Sequence, residues 1–116
     1  MKVAVGSSDG YAVDRHFGQC DRFIIYEVDE EGLYVQSENR EIGNPASRDG
    51  HEQIRLEAVA ESLADCSYVL VSRVGPGAAA VLHNLGITAL AVEAPIEKAL
   101  DRLLAFLHSG RGAILQ

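Results

Sequence analysis

Cysteine is scarce: Cys20 and Cys66 are the only two in 116 residues. No CxxC spacing joins them, which excludes a zinc knuckle and a disulfide framework. Long apolar runs are missing as well, and none approaches the ~20 residues of a membrane span. The opening Met1-Lys2-Val3-Ala4-Val5-Gly6 is too short an apolar stretch for a signal peptide and reads as a strand. Reduced thiols in a cytoplasm are therefore the expectation. Bases are outnumbered, with 10 Lys and Arg against 17 Asp and Glu, a net charge of −7. Phosphate contacts need a basic face, so a general nucleic-acid binder is excluded, while a small anion held by local donors is not. There is no internal repeat, linker or low-complexity segment. The 47% apolar content fits one globular domain over residues 1–116, able to bury a core without staples.

Val3-Ala4-Val5, Tyr68 to Val71 and Ile87 to Val92 are continuous apolar runs, the pattern of strands covered on both faces. Phe23 to Val28 is β-branched and aromatic, hence a strand. The Asp29-Glu30-Glu31-Gly32 turn leads into an alternating segment, with Leu33, Val35 and Ser37 set against Tyr34, Gln36 and Glu38. That is an antiparallel hairpin whose second strand is an edge with one wet face. Asn44-Pro45 marks a loop, and Asp49 with Glu52 forms a capping box before a helix buried through Leu56, Val59, Ala60 and Leu63. After the strand at 68–73, a short helix runs from Gly77 to Leu85 with Gly86 as its stop. Pro95 enters the first turn of a last helix, buried through Ile96, Ala99, Leu100, Leu103, Leu104 and Leu107. The tail from Ser109 is expected to be short and loosely held. The order β-β-β-α-β-α-β-α, with right-handed crossovers, predicts an α/β fold. Its mixed five-stranded sheet has the order 3-2-1-4-5, strand 2 antiparallel, and helices on both faces.

The loop Ser7 to Asp21 has neither helical nor strand period, and loops of that length in small domains tend to be functional. It carries Asp9, Asp14, His16, Phe17, Gly18 and Cys20. The topology brings it beside Ser72-Arg73-Val74-Gly75-Pro76-Gly77, at the carboxyl ends of neighbouring strands where open sheets bind ligands. Imidazole, thiolate and carboxylate are transition-metal ligands, and His with Cys suits softer metals or iron–sulfur species. His16 reads as a ligand once joined to Asp14 and Cys20, although alone it would be an ordinary loop histidine. Cys20 reads equally as a ligand, a reactive thiol or a small core residue; Cys66 reads as core. Phe17 anchors the loop, and Gly18 leaves room for a bulky ligand. Gly75-Pro76-Gly77 opens a helix whose free amides favour an anion, or is simply a tight turn. Arg15, Arg22 and Arg73 lie around the same crevice. His51 falls in a first helical turn, and His83 and His108 near helix ends, all as surface groups.

The stretch from Asp14 through His16-Phe17-Gly18 and Cys20 to Phe23-Ile24-Ile25-Tyr26-Glu27-Val28 resembles the dinitrogenase iron–molybdenum cofactor biosynthesis family, of the NifX and NifB carboxyl-terminal-domain type. The likeness continues through Ala64-Asp65-Cys66, Val69 to Gly75, Leu85-Gly86-Ile87 and Pro95 to Leu100. It implies a three-layer α/β/α, ribonuclease-H-like fold and binding of iron–molybdenum cofactor or its iron–sulfur precursor, with His16 at the family's ligand position. It also implies a carrier or chaperone in metallocluster biosynthesis, for nitrogenase or a related system, rather than a catalyst. Its partners would be the donor and acceptor proteins of cofactor assembly, with neither nucleic acid nor membrane. The expected site is then Arg15, His16, Phe17, Gly18, Arg73, Gly75 and Gly77 around the cofactor, with His16 and Cys20 as metal donors and no catalytic residue. The alternatives are a regulatory or assembly module binding through the Tyr34 edge strand, and a thiol-dependent enzyme on Cys20. A nuclease by fold analogy fits poorly, because two-metal chemistry needs carboxylates on the first strand and Met1 to Gly6 holds none.

Overall fold

A computed structural model describes residues 1–42 and 52–115, with side chains described for 1–42 and 56–108. The strands are β1 (Lys2–Val5), β2 (Arg22–Val28), β3 (Tyr34–Glu41), β4 (Tyr68–Val71) and β5 (Thr88–Ala91). The helices are α1 (Glu52–Ser62), α2 (Pro76–Asn84) and α3 (Ile96–Leu115). The five strands form one sheet in the order β3-β2-β1-β4-β5. β2 runs antiparallel to both β1 and β3, while β4 is parallel to β1 and to β5. The expected α/β architecture and strand order stand.

Val3, Ala4 and Val5 are fully buried because β1 is central and covered on both faces. Alternation along the strands divides the core in two. Ala4, Phe23, Ile25, Val69 and Val71 pack with Val59, Leu63 and Leu82 of the α1/α2 layer. Val3, Val5, Ile24, Tyr26 and Leu70 pack with Ile96, Leu100 and Leu103 of α3. Gly86 stops α2 with φ of +80°, a conformation that costs a side chain bearing a β-carbon. Pro95 stands one residue ahead of α3, its carbonyl accepting from the Ala99 amide at 2.9 Å.

Several boundaries differ from expectation. The tail after Ser109 is helical, because α3 continues to Leu115. Once a helix is nucleated each further residue adds a hydrogen bond, so Gly110 and Gly112, at ~1 kcal/mol each, do not stop it. His108 therefore lies inside α3 rather than near its end. β4 stops at Val71, short of Arg73. On β3 the alternation does not sort apolar from wet: Leu33 and Val35 are 67% and 65% exposed, while Tyr34 is half-buried. Pairing of Val28 with Tyr34 turns Tyr34 to the α3 side, and a bulge at Ser37 breaks the period before Glu38. Asp49 of the expected capping box, and His51, lie outside the described residues.

Candidate functional site

The loop after β1 is built around Gly6. Its amide donates to the Leu70 carbonyl at 2.9 Å, and its own carbonyl accepts from the Asp14 and Arg15 amides at 3.2 and 3.3 Å. A β-carbon on Gly6 would stand 3.0 Å from Val71 Cγ1, 3.3 Å from Arg15 Cβ and 3.4 Å from Cys20 Sγ. Glycine lets the returning loop lie this close without its neighbours having to give way. Sequence reasoning passed Gly6 over; the available signal was a glycine directly after a wholly buried strand.

Two carboxylates in the loop are spent on its own closure. Asp9 Oδ1 accepts from the Tyr11 and Ala12 amides at 2.8 and 3.0 Å, and these bonds hold its carboxyl below the usual range. Asp14 accepts from the Ser8 amide at 2.8 Å and the Ser8 hydroxyl at 2.5 Å. Arg15 turns back along the loop, donating to the Gln19 carbonyl at 2.6 Å with Asp21 4.0 Å away.

His16 then pairs in parallel with Arg73, just past the end of β4. The Phe17 amide donates to the Arg73 carbonyl and the Ser72 amide to the Arg15 carbonyl, both at 2.9 Å. These bonds extend the β1–β4 neighbourhood one step beyond the sheet and fix the backbone on either side of His16. Its side chain is exposed and caps nothing, although the residue precedes a single 3-10 turn over Phe17–Gln19. Phe17 is 1% exposed, 5.9 Å from the Phe23 ring, and pins the turn to the core. The same turn sends Cys20 inward.

Cys20 is as buried as Phe17, its thiol donating to the Arg22 carbonyl at 3.0 Å. Burial is the main cause that raises its pKa. A reactive thiol needs the opposite surroundings, electropositive and open to solvent. Cys66 is also buried, and its thiol is pushed up to about 12, by burial first and then by Asp65.

Arg73 leads within two residues to Gly75, the extended N-cap of α2, which has no side-chain cap; Pro76 opens the helix. With proline at the first position, the Gly77 and Ala78 amides are the orphan donors of that turn. Nothing lies within 4 Å of where a β-carbon would stand on Gly18, Gly75 or Gly77, so open space surrounds all three. The Ser72 hydroxyl is sealed from solvent without a hydrogen-bond partner among the described residues. The structure thus joins His16 to Arg73 and to the start of α2, and leaves Arg15 engaged elsewhere. Among the described residues no three His, Cys, Asp or Glu side chains gather as a metal site, and no helix is long and apolar enough to cross a membrane.

Comparison with known proteins adds a family. The family model described as dinitrogenase iron–molybdenum cofactor matches residues 1–105. The chain is 36% identical over 97 residues to the FeMo cofactor biosynthesis protein NifB of Chlorobaculum tepidum, covering 84% of this chain and 22% of that protein. It is 34% identical over 82 residues to protein NifY of Klebsiella pneumoniae, covering 71% of this chain and 34% of NifY. The chain therefore spans only a minor part of these relatives. In fold it is similar to the crystal structure of PH0822, with a TM-score of 0.71, 19% identity, and 90% and 91% of the two chains covered. It is similar too to the apo form of the orange protein from Desulfovibrio gigas, with a TM-score of 0.65, 23% identity, and 90% and 87% covered.

Proposed function

The chain belongs to the dinitrogenase iron–molybdenum cofactor family, and from that premise we propose that it serves in biosynthesis of that cofactor as a carrier. Its cargo is an anionic iron–sulfur or iron–molybdenum cluster. The observation that carries the reading is the solvent-open imidazole of His16, paired through its backbone with Arg73 beside the uncapped start of α2. The imidazole donates an electron pair to a metal of the cargo. The α2 amides and the exposed Arg73 offset the cluster's negative charge, and the bare backbone at Gly18, Gly75 and Gly77 leaves room for a bulky guest. Phe17 keeps the turn in place from below.

Cys20 supports this arrangement by packing, since its thiol is buried, protonated and hydrogen-bonded inward. A single protein donor suits a carrier, because cargo held by one ligand is released more readily than cargo held by four. The partners are then proteins that deliver the cluster and receive it, in a cytoplasm whose reducing conditions preserve iron–sulfur species. Anaerobic titration with isolated iron–molybdenum cofactor, followed by its visible spectrum, tests the reading. His16→Ala should lose at least about tenfold in affinity, while Cys20→Ser should bind as the parent does. Equal binding by parent and His16→Ala refutes the ligand role.

A further inference from the structure

A cavity of about 680 Å³ lies on the α3 side of the β2–β3 edge. Three of the four tyrosines line it, Tyr11, Tyr26 and Tyr34, together with Glu97, Lys98 and Asp101 of α3. None of the residues around His16 and α2 contributes. Tyr26 is only 9% exposed, and its ring meets Tyr34 edge-on, with centroids 6.1 Å apart at 80°. Its hydroxyl has no hydrogen-bond partner among the described residues, yet it is not among the polar atoms sealed from solvent. Tyr26 is thus a cavity-lining phenol whose hydroxyl is unpaired among the described residues. Tyr34 donates to Asp101 Oδ1 at 3.2 Å, which leaves Oδ2 of the same carboxylate available.

Charge selects the guest. Glu97 and Asp101 outweigh Lys98 by one negative charge, in a chain of net charge −7. Tyrosine ring faces are electronegative as well and attract cations. The positive end of α3 opposes this only weakly, since Glu97 lies in its first turn and the Ile96 amide already donates to the Tyr11 carbonyl at 2.8 Å. Asp101 sits a full turn further along. Burial raises the pKa of both Tyr26 and Tyr34, so each keeps its proton and stays neutral. The volume lies in the range of small-molecule sites.

We propose that this cavity binds a small organic cation, a primary ammonium or guanidinium compound, whose charged head sits between the Tyr26 hydroxyl and the Asp101 carboxylate against the tyrosine rings. The full chain, which has no tryptophan, is titrated with agmatine as probe while the tyrosine ring proton signals are followed by NMR. Glutarate and pentanediol serve as the anionic and neutral controls. The expected result is a saturable shift of the Tyr26 and Tyr34 signals with agmatine alone. Asp101→Asn should weaken it by about tenfold or more, as loss of a charge-assisted hydrogen bond implies. Tyr26→Phe should weaken it about threefold or more, and His16→Ala should leave it unchanged. Asp101 is exposed, and matching thermal melts verify that each variant is folded. A shift of equal size with pentanediol or glutarate overturns the proposal. So does the absence of saturation with millimolar agmatine, or indifference to Asp101→Asn in a folded protein.

Discussion

At Gly6 the His16 loop closes against a backbone with little room for a β-carbon. A methyl group there would press on Val71, Arg15 and Cys20 at 3.0 to 3.4 Å, and Val71 and Cys20 are held in the packed core. Gly6→Ala should therefore destabilise the fold by about 1–3 kcal/mol, as overpacking does. A thermal melt reads this as a drop in Tm of several degrees, and an unchanged Tm would show that the loop has slack. The same closeness explains the parting of His16 and Cys20. Their residue types were plain in the sequence, and a metal pair was a fair expectation. Which of them meets water was not legible, because it depends on the Phe17–Gln19 turn being pinned through Phe17 and the Arg73 carbonyl. Four residues of loop have no period from which to infer direction.

Between elements, one arginine ties β3 to the junction of α1 and β4. Arg40 donates to Asp65 at 2.7 and 3.0 Å, to Glu38 at 2.9 and 3.2 Å, and to the Ser62 carbonyl at 3.0 Å. Its guanidinium, with Lys2 adding less, holds the Asp65 carboxyl well below the usual carboxylate range. The stability this contributes is whole above the unfolded-state pKa and drains away as pH falls below about 4. Asp65 is 44% exposed, so solvent screening keeps the contribution to about 1 kcal/mol or less. Asp65→Asn should lower stability at pH 7 and lose less than the parent between neutral and acid pH; parallel urea midpoints across that range would contradict the assignment. At this scale the helices were the most legible parts, through the 3.6-residue period of α3 and the glycine stop of α2. The faces of β3 were not. Its one-residue bulge at Ser37 reverses the period-two pattern from which they are read.

Across the whole molecule, β1 is the strand that every layer rests on. It is hydrogen-bonded on both sides and covered on both faces, whereas β3 and β5 are edges. Native-state hydrogen exchange should find the amides of Val3 to Val5 opening only with global unfolding and the amides of β3 exchanging well before them. Exchange of β1 as fast as β3 would contradict the central placement. The strand order, the two-sided cover and the meeting of the first loop with the β4–α2 turn follow from local patterns and right-handed crossovers, and the sequence by itself determined them. It determined as well that a histidine, a glycine turn and several arginines would share one end of the sheet. The tertiary structure alone decided which side chains were still available there. Asp9, Asp14, Arg15 and Cys20 found partners within the loop and core, while His16 and Arg73 kept theirs in backbone pairing and left their side chains to solvent. It alone also drew three tyrosines from separate segments into one cavity. Both outcomes turn on contacts between residues far apart in the chain, and no local propensity encodes those.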